Sequence, residues 1–439
     1  MSYIVYRPMD ELWLTTIPKH WDNRKIKYAF SERAEKGYPD EPLLVASQNM
    51  GVVPKEVYGN RTVEATKDLH NLKLVCVGDF VISLRSFQGG LEYAYYQGII
   101  SPAYTVMIPN DYISSGYFRF LAKSRLFIEL LQMCVTGIRE GQNIDYSKLK
   151  NHLIPLPPRD EQDQIVRYLN WKVSQINKLI NAKRRQIVLL QEQKRVVINA
   201  AVTRDGGSWQ HLRIKVAANI LRGKFSHRPR NDPAFYDGDY PFIQTGDVAR
   251  ANKYIQEHRQ TLNEKGYSVS KQFPKGTLTM TIAANIGDVA ILDFDACFPD
   301  SIIGFVPHDG VDLEYLYYAL FNMKDEFVRE APVNTQGNLN VERVGAMVIC
   351  IPNEDEQREI VMEIEAQTQR IDRFIYEIQT EITLFTEYRT RLISDVATGK
   401  LDVRSVVVPE YEATEDVACG NEDVEDLTET GEILNGRYS

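Results

Sequence analysis

Catalysis needs particular side chains held close together, so nucleophiles, metal ligands and phosphate-binding loops are considered first. The five cysteines, Cys76, Cys134, Cys297, Cys350 and Cys419, are far apart in the chain. None forms a CxxC pair or a Cys/His cluster, which argues against a zinc site and a disulfide framework. The sequence has no GxxxxGK[ST] phosphate loop, no glycine-rich dinucleotide fingerprint, no HExxH and no GxSxG. It also lacks the Asn/Asp-Pro-Pro-aromatic motif of amino-methyltransferases and a nuclease carboxylate cluster. Ser268-Val269-Ser270-Lys271 fits SxxK, but so short a pattern recurs by chance and has no companions here. The expectation is a chain with no catalytic residue, no metal and no cofactor of its own.

What the sequence does hold is recognition chemistry. Arg85-Ser86-Phe87-Gln88-Gly89-Gly90-Leu91-Glu92-Tyr93 follows one strand-like run, and Arg139-Glu140-Gly141-Gln142-Asn143 follows a helix-like one. Later come the basic loop Arg222-Gly223-Lys224-Phe225-Ser226-His227-Arg228-Pro229-Arg230, then Gln244-Thr245-Gly246-Asp247, then Asn285-Ile286-Gly287. Arginine can bond guanine through two donors, Asn or Gln can do the same for adenine, and Lys and backbone N–H groups hold phosphates. The candidate DNA contacts are therefore Arg85, Gln88, Tyr93, Arg139, Gln142, Asn143, Arg222, Lys224, His227, Arg228, Arg230, Gln244 and Asn285. The cluster from Arg222 to Arg230 is the strongest of them. Taken singly, the others also fit ordinary solvated loops.

A net charge of −9 looks wrong for a DNA binder until it is located. Ten acids and one arginine fall between Pro409 and Ser439, and the rest of the chain is neutral. Such a tail is expected to be disordered, with docking on a basic partner as the second reading. No run approaches the ~18 apolar residues of a membrane span, and the first residues do not resemble a secretion signal. The expected compartment is the cytoplasm.

The elements that would position these loops are written twice. The chain aligns with itself at an offset of 195 residues, where Leu156-Pro157-x-x-Asp160-Glu161-Gln162 meets Ile351-Pro352-x-x-Asp355-Glu356-Gln357. Near the start of each half, Trp21 to Lys27 meets Trp209 to Lys215. A repeat this long is a duplicated domain plus helix, not a solenoid. After each proline, apolar residues recur at alternating spacings of three and four. The first set is Val166, Leu169, Val173, Ile176, Ile180, Ile187 and Leu190, with Lys183, Lys194 and Val197 in register. The second is Val361, Ile364, Ile371, Ile375, Ile378, Ile382, Phe385 and Leu392, with Thr368 and Arg389 in register. More than four such heptads predict a coiled coil. The first helix carries nine basic and four acidic residues, the second six and eleven, so each favours the other as partner. The competing reading has each helix packing only on its own globular domain. Val166 to Val197 would measure about 48 Å at ~1.5 Å per residue, a spacer on the order of one DNA turn.

The expected fold is mixed α/β (α+β): two similar globular recognition domains, residues 1–157 and 205–353, alternating with helices 158–204 and 354–400 that pair as an antiparallel coiled coil. Residues 401–439 form the tail. Strands are predicted over Leu74 to Ser83, Tyr104 to Ile108, Thr277 to Ile282, Asp288 to Leu292 and Ile302 to Val306. Single helices are predicted over Tyr117 to Met133 and Leu313 to Arg329.

Several segments resemble the specificity subunit of type I restriction–modification enzymes. They are Trp13-Leu14 with Ile17-Pro18-Lys19-His20-Trp21, the two Pro-x-x-Asp-Glu-Gln segments, Gly78-Asp79 with Gly98-Ile99-Ile100-Ser101-Pro102, and Tyr388 to Arg404. The resemblance covers about residues 10 to 405. It departs at Gly206-Gly207-Ser208-Trp209, where no second Ile-Pro-x-His-Trp occurs, and in the acidic tail. It implies two domains that each read half of a split, asymmetric site in double-stranded DNA. It implies docking of two methyltransferase subunits and of restriction/translocase subunits. Those partners would hold S-adenosylmethionine, ATP and Mg2+, and the modification would be adenine methylation. A coiled-coil scaffold without a nucleic-acid role is the alternative.

Overall fold

The structure, a computed structural model, describes residues 2–48, 50–58, 68–82, 90–136, 143–204, 208–331 and 339–411. The loop residues Arg85, Gln88, Arg139 and Gln142, and the acidic tail beyond Tyr411, lie outside the described residues. The chain divides into two compact units. Of the described residues, the first unit holds those up to 185 and 378–411, and the second holds those from 186 to 377.

Both units are built on one plan. In the first, Asp22–Lys25 pairs antiparallel with Leu153–Leu156, which ties the start of the globular part to its end. In the second, Gln210–Arg213 pairs with Val348–Ile351 in the same sense. Each unit then has a main sheet of matching order. In the first, Phe30–Glu32, Thr105–Pro109, Phe80–Ile82 and Leu91–Tyr93 lie side by side. In the second, the order is Ala218–Arg222, Ile302–Pro307, Leu278–Thr281 and Val289–Leu292, with Tyr254–Ile255 added at the edge. The strands are rich in apolar and β-branched residues, and three of these nine are wholly buried: Phe80–Ile82, Leu278–Thr281 and Val289–Leu292. Unit two carries a second sheet, Gln260–Leu262, Tyr236–Phe242, Ala296–Cys297 and Gln272–Phe273, over its own small core of Phe225, Phe242, Leu262 and Cys297.

Three predicted elements are each broken in two. The run from Leu74 to Ser83 forms strands Lys73–Val75 and Phe80–Ile82, separated by a turn in which Gly78 has φ 95°. Asp79 closes that turn: its buried carboxylate accepts from the Cys76 N–H at 2.8 Å and from Arg33 Nε at 2.8 Å. The helix over Tyr117 to Met133 is Ser115–Ala122 followed by Arg125–Met133. Ser124 makes the break, since its hydroxyl donates back to the Leu121 carbonyl and accepts from the Phe127 N–H as an N-cap. The helix over Leu313 to Arg329 likewise divides at Met323 into Leu313–Asn322 and Lys324–Glu330. Side-chain competition for backbone groups is invisible to a count of apolar spacing.

The long helices are Arg159–Val202 and Glu354–Ala397. They run antiparallel in both units. In unit one, Lys183 pairs with Glu381 at 2.5 Å and Arg389 donates to Asn177 at 2.7 Å. In unit two, Lys194 meets Asp372 at 2.7 Å and Arg204 meets Glu363 at 3.1 Å. The seam is the face that the spacing marked. Leu169, Val173, Ile176, Ile180, Val361, Ile364, Ile371, Ile378 and Leu392 are buried, and Val166, Ile187, Leu190, Ile375, Ile382 and Phe385 are half-buried. Near the C-terminal end of the first helix the buried face moves off Val197 to Ile198, Ala201 and Val202, because there the helix joins the core of unit two. Among the described residues no helix is long and apolar enough to cross a membrane.

Candidate nucleic-acid interface

The repeated Pro-x-x-Asp-Glu-Gln segments begin the long helices, and their side chains explain why these residues recur. Gln162 is buried; its Oε1 accepts from the Ser114 N–H at 2.7 Å, and its Nε2 donates to the carbonyls of Tyr112 and Pro157 at 3.0 and 2.9 Å. Gln357 makes the same three bonds, to the Asp312 N–H at 2.8 Å and the carbonyls of Gly310 and Pro352 at 2.9 and 2.8 Å. Trp21 donates its indole N–H to Glu161 at 3.0 Å, and Trp209 does so to Glu356 at 2.9 Å. Each long helix is thus clamped at its first turn to its own globular domain. Sequence reading took the Asp-Glu of these segments as helix-start residues and gave the glutamines and tryptophans no role.

The basic loop of unit two is drawn together by a residue the sequence did not single out. Arg228 reaches Asp300 Oδ2 at 3.5 Å, Arg230 bonds the other oxygen of the same carboxylate, and Arg222 donates to the Asp300 carbonyl at 3.3 Å. All three arginines and Lys224 are exposed. Arg228 also donates to the carbonyls of Phe225 and His227 at 2.7 and 2.8 Å. His227 stacks on Phe235 with centroids 3.8 Å apart and bonds Asp232 at 3.1 Å. The loop is a pre-arranged set of guanidinium forks with most donors still facing water, which suits phosphate oxygens. Asp300 lies 70 residues from Arg230 in the chain, so no local pattern could have paired them.

Strand register places a further candidate at the same end of the sheet. Arg222 ends its strand opposite Ile303, and Thr281 ends its own opposite Ile302. Exposed Asn285 lies in the turn that follows Thr281, where Ala284 has φ 59° and Gly287 φ 85°. In unit one the matching strands Phe80–Ile82 and Leu91–Tyr93 flank residues 83–90, the stretch that contains Arg85 and Gln88. Tyr93 is half-buried, packed edge-on against Phe80 and Tyr95 with the Arg119 guanidinium 5.5 Å from its ring centre. Asn143 is exposed in a short strand opposite Thr136. Gln244 stands apart, half-buried at the start of helix Thr245–Arg250, with its amide on Gln260 at 2.8 Å.

Two buried carboxylates near these loops hold cations in place. Asp79 grips Arg33, whose guanidinium is held above its ordinary value by that bond. Glu92, 1% exposed, receives both its bonds from Lys123 at 2.8 Å, and burial pushes its carboxyl up to about 8 against that cation. Among the described residues no group of three or more His, Cys, Asp or Glu is placed to hold a metal ion.

A family model for the type I restriction modification DNA specificity domain matches residues 209–384, the second globular domain and most of the helix after it. That stretch is similar to the type I restriction modification DNA specificity domain. The chain is 32% identical to the MjaIX specificity subunit of Methanocaldococcus jannaschii over 158 residues, 35% of this chain and 36% of that relative, so the matched stretch spans about a third of that relative's length. It is 21% identical to the putative MjaX specificity subunit of the same organism over 442 residues, 89% of this chain and 95% of that one. The fold is similar, at a TM-score of 0.62 and 14% identity, to a solved chain from work on assembly and conformational transition of a type I restriction–modification system. That similarity covers 88% of this chain and 99% of the other.

Proposed function

We propose that this chain is a specificity subunit that reads a bipartite DNA site, one half with each globular domain, while the paired helices set the spacing between the halves. The observation that carries the reading is the repeated sheet whose one end bears Arg222, Arg228, Arg230 and Asn285 in unit two and borders Arg85 and Gln88 in unit one. Arginine forks on exposed loops position a protein on phosphates, and Asn, Gln and Arg tips discriminate bases. A duplicated frame with unlike loops fits two unlike half-sites. The helices carry methyltransferase subunits, and restriction/translocase subunits join that complex. S-adenosylmethionine, ATP and Mg2+ belong to those partners, which methylate adenine or cleave unmodified DNA. The chain itself contributes recognition and no chemistry.

Footprinting the subunit with its methyltransferase partner tests this. Two protected half-sites with an unread gap are expected. A single contiguous footprint, or none, rejects it.

A further inference from the structure

Each head is fixed to its long helix a second time, beyond the first-turn glutamine, and in both units a cation makes the bond. In unit one, Arg119 donates from Nη2 to Asn170 Oδ1 at 2.8 Å. In unit two, the Lys253 ammonium reaches Glu365 at 2.5 Å and Glu314 at 2.9 Å. Asn170 and Glu365 are the same position of the repeat, 195 residues apart, and each lies eight residues past its glutamine. The two fixings of a head are therefore about 12 Å apart along the helix at ~1.5 Å per residue.

The two cations occupy different positions of the repeat. Arg119 stands five residues after Ser114, and Tyr317 five after Asp312, the residues whose N–H groups bond the two glutamines. Tyr317 thus takes Arg119's place, and its hydroxyl donates to the carbonyl of Asn252 at 2.8 Å, next to Lys253. Lys253 itself comes from the segment after helix Thr245–Arg250. Aromatic rings flank both cations and attract them. The Arg119 guanidinium lies 5.5 and 5.9 Å from the ring centres of Tyr93 and Tyr95, and the Lys253 ammonium 5.0 and 5.5 Å from those of Tyr318 and Tyr254.

Both cations also meet the matching strand of their main sheets. Tyr93 ends Leu91–Tyr93, the strand that leaves residues 83–90. The Lys253 carbonyl accepts from the Ile291 N–H at 2.9 Å, within Val289–Leu292, the strand that leaves the Asn285 turn.

We propose that Arg119 and Lys253 are positioning residues that hold the return strand of each reading hairpin at one angle to its own long helix, and so confine the DNA site to a single gap length. This inference rests on the DNA-reading proposal above. One fixing alone leaves a pivot. A turn of roughly 10° about it moves a loop ~20 Å away by about 3.5 Å, close to the ~3.4 Å step of one base pair. A second fixing farther along the helix removes that freedom. Retention of an ancestral contact would give the same cation twice; unlike cations that reach one repeated helix position answer a shared mechanical need.

The test maps methylated adenines in cells that carry the methyltransferase partner with either the wild-type chain or N170A/E365A. These substitutions remove the acceptors on the helices and leave both heads untouched. The wild-type chain should give one gap length. N170A/E365A should keep the half-site letters and add sites with gaps one base pair shorter or longer, at least tenfold above the wild-type level. N170D/E365Q, which retains an acceptor oxygen at both positions, should restore the single gap. A variant that is confined to the wild-type gap, or inactive, overturns the positioning role. Changed half-site letters overturn it too, because the cations would then shape the loops. A second arm uses the free chain without DNA. Hydrogen exchange in the peptide 286–293 should be at least threefold faster in E365A, and equal exchange overturns the link from helix to strand. Faster exchange in E365A, together with wild-type sites that have no split or no fixed gap, overturns the gap-setting role through failure of the DNA-reading proposal itself.

Discussion

At the scale of single residues, function depends on polar groups that the fold has taken out of water. Gln162 and Gln357 each hold three backbone groups where a long helix meets its head. A buried backbone donor or acceptor left without its partner costs about 1–3 kcal/mol. Gln162→Leu is therefore expected to destabilise the protein by about 2–4 kcal/mol in urea denaturation, with Gln357→Leu similar; a loss under ~1 kcal/mol would mean that the clamp is incidental. Glu92 gives a pH signature. Its folded carboxyl titrates at about 8 in place of the usual 4.5, so between those values the native state holds a proton that the unfolded chain has released. Stability must then fall as pH rises through that window. Glu92→Gln should flatten this part of the profile, and an unchanged slope between pH 5 and pH 8 would remove Glu92 as its source.

At the scale of elements, the long helices are specified by charge as well as by their apolar seam. Lys194 lies in the seam register, yet its ammonium donates to both carboxylate oxygens of Asp372, at 2.7 and 2.9 Å, and to Asn252 Oδ1 at 3.0 Å. The pair is half-buried, so it is worth more than an exposed one. Lys194→Glu should cost roughly 1–2 kcal/mol, and Asp372→Lys in the same chain should restore most of that loss. Additive losses in the double-mutant cycle would show that the two side chains do not act on each other. The main sheets carry a different lesson. Their strands match in order between the units, and in unit two Asp300 gathers three arginines beside the sheet.

At the scale of the whole molecule, the spacer reading makes a metric prediction. One heptad inserted in each long helix, in matched positions, adds about 10 Å at ~1.5 Å per residue, or roughly three base pairs at ~3.4 Å. The gap between protected half-sites should lengthen by that amount while the half-site sequences stay the same. Altered half-site letters, or an unchanged gap, would take the spacing role away from the helices. Methylation mapping of genomic adenines would report both quantities at once.

What the sequence determined by itself is whatever repeats or recurs at short range. The 195-residue offset exposed the duplicated domain, and the three-four alternation marked the seam from Val166 to Leu190 and from Val361 to Leu392. Period and repetition are properties of the chain, so they survive without coordinates. The family resemblance was carried in part by the repeated Pro-x-x-Asp-Glu-Gln segments and otherwise by local stretches such as Ile17 to Trp21 and Tyr388 to Arg404. What only the tertiary structure decided are the meetings of residues distant in sequence: Gln162 with Ser114, Trp21 with Glu161, Arg230 with Asp300, and Gln164 with Val403 and Val406. Local side-chain caps such as Ser124 also escaped, because a hydroxyl that ends a helix looks like any other polar residue between apolar ones. Antiparallel strand pairing brought Arg222 and Asn285 to one end of a sheet, and that register is set by packing across strands, which no single stretch of sequence encodes.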